Sequence, residues 1–93
     1  MSGKIIVYVT SVTSSKEIKK QQQRIDMVLS GKHIEFEKVD ISLEEGAKEK
    51  MREGAGEGTL PPQIFKGDTY LGNYEQFDSA IENEELEKFL KLN

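Results

Sequence analysis

The chain contains no cysteine. Only a deprotonated sulfur attacks a disulfide, so thiolate catalysis is excluded, as are disulfide cross-links. Histidine occurs once, at His33. A structural zinc site takes about four Cys, His or carboxylate ligands at close spacing, and no such set is offered. Basic residues are outnumbered, 13 Lys and Arg against 17 Asp and Glu, for a net charge of -4. That balance argues against nucleic acid, whose binding is driven by clustered Lys and Arg. Long hydrophobic runs are also missing. The apolar stretch Ile5 to Val9 is far too short for a signal-peptide core or a membrane span. Met1-Ser2-Gly3 lacks the glycine directly after the initiator that myristoylation requires. No membrane partner is expected, and the expected compartment is the cytosol. At 10.5 kDa the chain is small enough to diffuse into the nucleus as well.

Other motifs fail on spacing. The prolines are only two, Pro61 and Pro62, and adjacent prolines cannot supply the Pro-x-x-Pro of an SH3 ligand. Gly54-Ala55-Gly56-Glu57-Gly58 imitates a phosphate loop, but no strand precedes it and no Lys-Ser or Lys-Thr follows. Glu82, Glu84, Glu85 and Glu87 lack EF-hand spacing and read as an acidic cap that favours the dipole of the last helix. There is no internal repeat and no low-complexity segment.

What remains is one small α/β domain over residues 1–93, 35% hydrophobic and 32% charged. Lys4 to Val9 is an almost unbroken β-branched and aromatic run, the pattern of a strand buried on both faces. Ser14 with Glu17 has capping-box spacing and opens a helix near Ser15. Its apolar face is Ile18, Ile25, Val28 and Leu29, with Met27 at the edge and Gly31 as the C′ stop. A second strand runs from His33 to Ile41. Ser42 with Glu45 marks a second helix to about Glu53. Gly46 inside it, and only Leu43, Ala47 and Met51 as apolar anchors, make it the weakest element. After the flexible Gly54–Gly58 loop, Gln63–Lys66 and Thr69–Leu71 form a hairpin around Gly67-Asp68. Asn73 with Gln76 caps a third helix carrying Tyr74, Phe77, Ala80 and Ile81, of which Tyr74 and Phe77 read as core or groove wall. Leu86, Phe89 and Leu90 repeat at helical spacing in a fourth. The order βαβαββαα describes a four-stranded mixed sheet with helices on both faces.

Leu60-Pro61-Pro62-Gln63-Ile64-Phe65 followed by Lys66-Gly67-Asp68-Thr69-Tyr70-Leu71-Gly72-Asn73 resembles the thioredoxin fold in its short glutaredoxin form. Glutaredoxins carry Thr-Val-Pro, an apolar strand, an Asn-Gly turn, a second strand and Gly-Gly at these offsets. Thr10-Ser11-Val12-Thr13, Ile18, Val39-Asp40-Ile41-Ser42, Pro61-Pro62-Gln63-Ile64 and Phe89-Leu90-Lys91-Leu92 resemble the SH3-domain-binding glutamic-acid-rich-like family within that superfamily. The resemblance covers the whole chain. It implies a small cytoplasmic or nuclear protein that modulates glutaredoxins or acts as an adaptor for other proteins. This chain departs from relatives that have a proline where it has Thr59, so SH3 binding does not come with the resemblance.

Counting from Tyr8, the glutaredoxin Cys-Pro-Tyr-Cys falls on Thr13-Ser14-Ser15-Lys16. A hydroxyl has no accessible anion near neutral pH without a neighbouring base, and His33 stands at the other end of the helix. These residues therefore cap the helix, and no enzyme is expected. The helix N-terminus with Lys16 and Lys19 nearby retains an anion preference that a glutathione carboxylate or an acidic peptide group could use. Thr13, Ser14, Ser15, Lys16, Pro61, Pro62, Gly72 and Asn73 are thus the candidate remnant of a glutathione or peptide groove. The resemblance implies a cis-proline here. If it is Pro62, the preceding Pro61 has no N–H to give a substrate backbone; if it is Pro61, Leu60 supplies both groups. No cofactor is implied, and any glutathione binding is expected to be weak. Pro61-Pro62-Gln63-Ile64-Phe65 also matches the Pro-Pro-x-x-Phe read by EVH1 domains, but Ile64 and Phe65 are expected inside a strand.

Overall fold

The computed structural model describes residues 3–92. The one-domain reading of 1–93 and the reading of Met1-Ser2-Gly3 both include residues outside that span. The expected element order is found: β1 (Ile5–Val9), α1 (Lys16–Gly31), β2 (Phe36–Asp40), α2 (Ala47–Ala55), β3 (Gln63–Lys66), β4 (Thr69–Asn73), α3 (Tyr74–Glu82) and α4 (Leu86–Phe89). The four strands form one sheet in the order β2-β1-β3-β4. β1 runs parallel to β2 and antiparallel to β3, and β3 pairs antiparallel with β4.

The unbroken apolar run of β1 is explained by its position between two layers. Ile5 and Val7 enter a cluster with Ile25 and Leu29 of α1, Ile64 of β3, Phe77 of α3, and Leu86 and Leu90 at the C-terminal end. Tyr8 enters a second cluster with Ala47 and Met51 of α2 and Phe65 of β3, with Ile6 packed against it. Alternate residues of one strand therefore feed opposite cores. Each fully buried large aliphatic side chain contributes about 1.5–3 kcal/mol.

The helix boundaries correct the sequence reading at several points. Ser15, not Ser14, is the N-cap of α1. It is extended (φ -80°, ψ 116°) and its Oγ accepts from the Ile18 amide. Glu17 does not close a capping box; its carboxylate accepts from Gln21 Nε2. At the far end Gly31 is still helical, and the left-handed residue is His33, at φ 60°. The His33 amide bonds to Ser30 O and the Ile34 amide to Leu29 O, the Schellman pattern. This turn places Ile34 against the core beside Leu29. It also removes His33 from the strand expected at 33–41, which begins at Phe36.

α2 starts later than expected. Ser42 does not cap it, because Asp40 Oδ1 takes both the Ser42 amide and its hydroxyl. Gly46, at φ 80°, becomes the N-cap, and Leu43 is left exposed rather than anchoring the helix. The helix then continues through Gly54, where the sequence predicts a loop. A Cβ on Gly54 would lie 2.4 Å from Phe65 Cε2, so glycine permits the close approach of helix to sheet.

In the hairpin β4 extends to Asn73, with a register shift opposite Ile64 and Phe65. The Asn73–Gln76 capping box has both of its hydrogen bonds, as expected. The acidic cap is smaller than expected. Glu82 closes α3, Glu84 turns left-handed at φ 56°, and Glu85 makes no side-chain cap on the short α4.

Gly54→Ala tests the helix–sheet contact. In an open helix this change stabilises by up to about 1 kcal/mol. Here the added methyl meets the Phe65 ring, itself held between Tyr8 and Tyr70. Urea unfolding should show a net loss of about 1–3 kcal/mol.

Candidate functional site

Three segments named from the sequence lie at one end of the sheet. Tyr8 near the end of β1 pairs with Gln63 at the start of β3, and Gln63 pairs with Asn73 at the end of β4. The loop carrying Thr13–Lys16 leaves that end of β1, Pro61-Pro62 enters β3 there, and Gly72-Asn73 closes β4 there.

Each segment makes internal hydrogen bonds. Thr13 Oγ1 accepts from the Ser15 amide at 3.1 Å, and Ser15 Oγ accepts from the Ile18 amide at 3.2 Å. The hydroxyls expected to cap α1 thus occupy amides at its N-terminus. Ser14 and Lys16 are exposed. At the other helix start, Gln76 Oε1 takes the Asn73 amide and Asn73 Oδ1 takes the Gln76 amide, each at 3.0 Å. Gly72 is buried under this arrangement, and a Cβ there would lie 2.6 Å from Gln76 Oε1 and 2.8 Å from the Phe89 ring. An anion arriving at Asn73 would have to displace Gln76.

The proline question left open by the sequence is resolved: the cis bond is Pro61–Pro62. The residue before the cis-proline is therefore Pro61, which has no N–H. Both prolines are buried. Gln63 fastens the segment, donating from Nε2 to Leu60 O at 2.7 Å and accepting from the Tyr70 hydroxyl at 2.8 Å. The Pro-Pro-x-x-Phe stretch is thus structural, with Ile64 and Phe65 inside the sheet.

Sequence reasoning missed a polar cluster next to this end. Gln22 of α1 grips both backbone groups of Thr10, accepting from its amide at 2.8 Å and donating to its carbonyl at 3.1 Å. Asp40 Oδ1 accepts from the Ser11 amide at 3.2 Å, the Ser42 amide at 3.0 Å and the Ser42 hydroxyl at 2.6 Å. Lys38 pairs with Asp26 across the strand–helix gap at 2.8 Å. A cleft of about 660 Å³ opens here, lined in part by Thr10, Lys19, Gln22 and Asp40, and no candidate groove residue lines it. Gln22 sits in a run of three glutamines with no motif, and Asp40 had only the resemblance of Val39-Asp40-Ile41-Ser42. Neither carried a sequence signal of its role. Among the described residues no group of three or more His, Cys, Asp or Glu could hold a metal, and no helix is long and apolar enough to cross a membrane.

A parallel βαβ unit, an antiparallel hairpin entered through a cis-proline, and helices on both faces make this a thioredoxin-like fold of the glutaredoxin form. Solved structures agree. The Candida albicans actin interacting protein Aip5 superposes with a TM-score of 0.78 at 22% identity, over 97% of this chain and 90% of that one. Holo glutaredoxin C1 from Populus tremula x tremuloides superposes at 0.69 and 17% identity, over 96% and 84%. Residues 3–93 match the family described as SH3-binding, glutamic acid-rich protein, and the chain belongs to that family. The SH3 domain-binding glutamic acid-rich protein homolog of Drosophila melanogaster is 42% identical over 99 residues, covering 92% of this chain. The chain spans 63% of the length of that curated relative.

The Asp40 cluster has a pH signature. Desolvation acts to raise its pKa, but the hydrogen bonds from Ser11 and Ser42 outweigh it and hold the carboxyl at about 2, below the ordinary 3.8. A depressed folded value means that ionised Asp40 adds stability above about pH 4, and that this is lost as pH falls towards 2. The Asp40 carboxyl carbon followed by NMR should titrate well below the ordinary aspartate value of 3.8. In Asp40→Asn the part of the acid destabilisation between pH 4 and 2 that belongs to this group should disappear; a variant with an unchanged profile would show that the cluster does not hold the charge.

Proposed function

We propose that this protein is a redox-silent glutaredoxin-like module that acts by contacting other proteins, as an adaptor or modulator, and is not an enzyme. The observation that carries the reading is the Thr13-Ser14-Ser15-Lys16 segment. It stands where the resemblance puts the reactive sulfurs, and Thr13 and Ser15 spend their hydroxyls on the amides of Ser15 and Ile18. His33, the only imidazole, follows the opposite end of α1. The module works in the cytosol and, by diffusion, in the nucleus. The family relative is named for SH3-domain binding and a structural neighbour for actin interaction. For this chain, buried Pro61 and Pro62 favour contacts other than an SH3 ligand.

A second reading, weak glutathione or peptide binding that modulates glutaredoxin activity, is favoured by exposed Lys16 at the start of α1. Against tight binding stand the missing sulfur, the missing N–H of Pro61 and the Gln76 side chain already on the Asn73 amide. One lost backbone hydrogen bond weakens such a site by roughly 1 kcal/mol.

In a glutathione-coupled disulfide reduction assay the purified protein should show no turnover above buffer; reproducible turnover in clean preparations would sink the redox-silent reading. Titration of the ¹⁵N-labelled protein with glutathione should give a dissociation constant of about 1 mM or weaker, about -4 kcal/mol. Micromolar affinity with shifts centred on Thr13, Pro62-adjacent Gln63 and Gly72 would promote the second reading over the first.

A further inference from the structure

The protein-contact reading above leaves open which surface makes the contact, and the exposed apolar residues bear on that. Val12, Leu43 and Leu60 are 74%, 76% and 59% exposed. Each stands three residues beyond the end of a different strand: Val12 after Val9, Leu43 after Asp40, Leu60 before Gln63. Those strand ends coincide, since Val9 is opposite Asp40 and Tyr8 is opposite Gln63. Three separate loops therefore put bare aliphatic side chains at one end of the sheet. Isolated exposed aliphatics are ordinary, but three on loops that leave the same end of one sheet are candidates for a common surface.

The loops are also held in place. Ser11 donates to Asp40 and its hydroxyl meets that of Ser42 at 3.2 Å, which fixes the Val12 and Leu43 loops to one another. Gln63 holds the Leu60 carbonyl, and Arg52 Nε holds the Thr59 carbonyl at 3.2 Å. The patch is presented on a fixed frame, which lowers the ordering cost of binding.

Size and charge define the occupant. Three side chains offer on the order of a few hundred Å², well below the roughly 800 Å² per partner of a stable protein–protein interface. That disfavours a permanent dimer and suits a short segment. On the Val12 side, exposed Lys16, Lys19 and Lys20 outnumber exposed Glu17 at the start of α1, which leaves that flank net basic. Exposed Glu44 and Glu45 directly follow Leu43 on the other side. Farther along, Lys48 and Glu49 offset one another. The patch is therefore apolar at its centre, basic on one flank and acidic on the other.

We propose that Val12, Leu43 and Leu60 form a docking surface for a short segment of a partner protein, one with an apolar centre, an acidic residue towards Lys16 and Lys19, and a basic residue towards Glu44 and Glu45. Complementary end charges set the direction in which the segment lies and suppress segments of the wrong polarity.

The test is selection of peptides from a displayed random library on the immobilised full chain, followed by synthesis of the most enriched peptide. The enriched sequences should share the acid–apolar–base order. The synthetic peptide should shift the amides of Val12, Lys16, Leu43, Glu45 and Leu60. It should bind at least tenfold more weakly to a Val12→Ser, Leu43→Ser double variant, whose circular dichroism should match the parent because both side chains are exposed. Exchanging the peptide's end charges should weaken binding severalfold. No enrichment, enriched sequences without the pattern, or binding indifferent to the double variant would each overturn the proposal. So would concentration-dependent sedimentation abolished by the double variant, since the occupant would then be a second copy. None of these readouts involves thiol chemistry or glutathione, so failure here leaves the redox-silent reading standing, and failure of that reading is seen in its own assay.

Discussion

The structure depends on β1 being apolar on both of its faces. It is paired on either side, parallel with β2 and antiparallel with β3, and its alternate residues supply both cores. Ile5 and Val7 seat α1 and α3, while Tyr8 seats α2 and meets the Phe65 ring edge-on at a centroid distance of 5.0 Å. A polar residue at any of these positions would expose one layer to an unsatisfied group. Everything at the candidate site hangs from the end of this strand.

From that end the chain turns into α1, and β4 turns into α3 at the same end of the sheet. Two amides at each of these helix starts are used internally. Ser15 and Thr13 answer amides at the start of α1, and the Asn73–Gln76 pair answers those at the start of α3. Caps of this kind stabilise a helix by about 1 kcal/mol each. The same hydrogen bonds that secure the helices reduce what the site can offer an anion. At each helix start, stability and ligand binding compete for the same N–H groups, and the amides of Ser15, Ile18, Asn73 and Gln76 are given to stability.

Rigidity at this end comes from side chains that hold backbone. Gln22 holds Thr10, Asp40 holds Ser11 and Ser42, and Gln63 holds Leu60. These are contacts between loops and elements distant in sequence. They leave Val12, Leu43 and Leu60 exposed on a fixed frame.

Much of the fold was legible in the sequence because its signals are short-range. The β-branched run of β1, the 3.6-residue repeat of Ile18, Ile25 and Leu29, and the Asn73–Gln76 spacing each act within a few residues and reappear in the structure. The resemblance named Thr13, Pro62 and Gly72, and the strand pairing puts their segments at one end of the sheet. Local spacing failed where a distant group competed. Ser42 has capping spacing with Glu45, yet Asp40 claims it and α2 starts at Gly46. Gly31 reads as a stop, yet packing of half-buried Ile34 against the core accompanies a left-handed turn at His33. Gly54 reads as loop, yet close packing against Phe65 keeps it in a helix. Propensity is worth tenths of a kcal/mol per residue and burial or a satisfied carboxylate is worth more, so tertiary contacts decided these boundaries, the cis proline and the grip of Gln22 on Thr10.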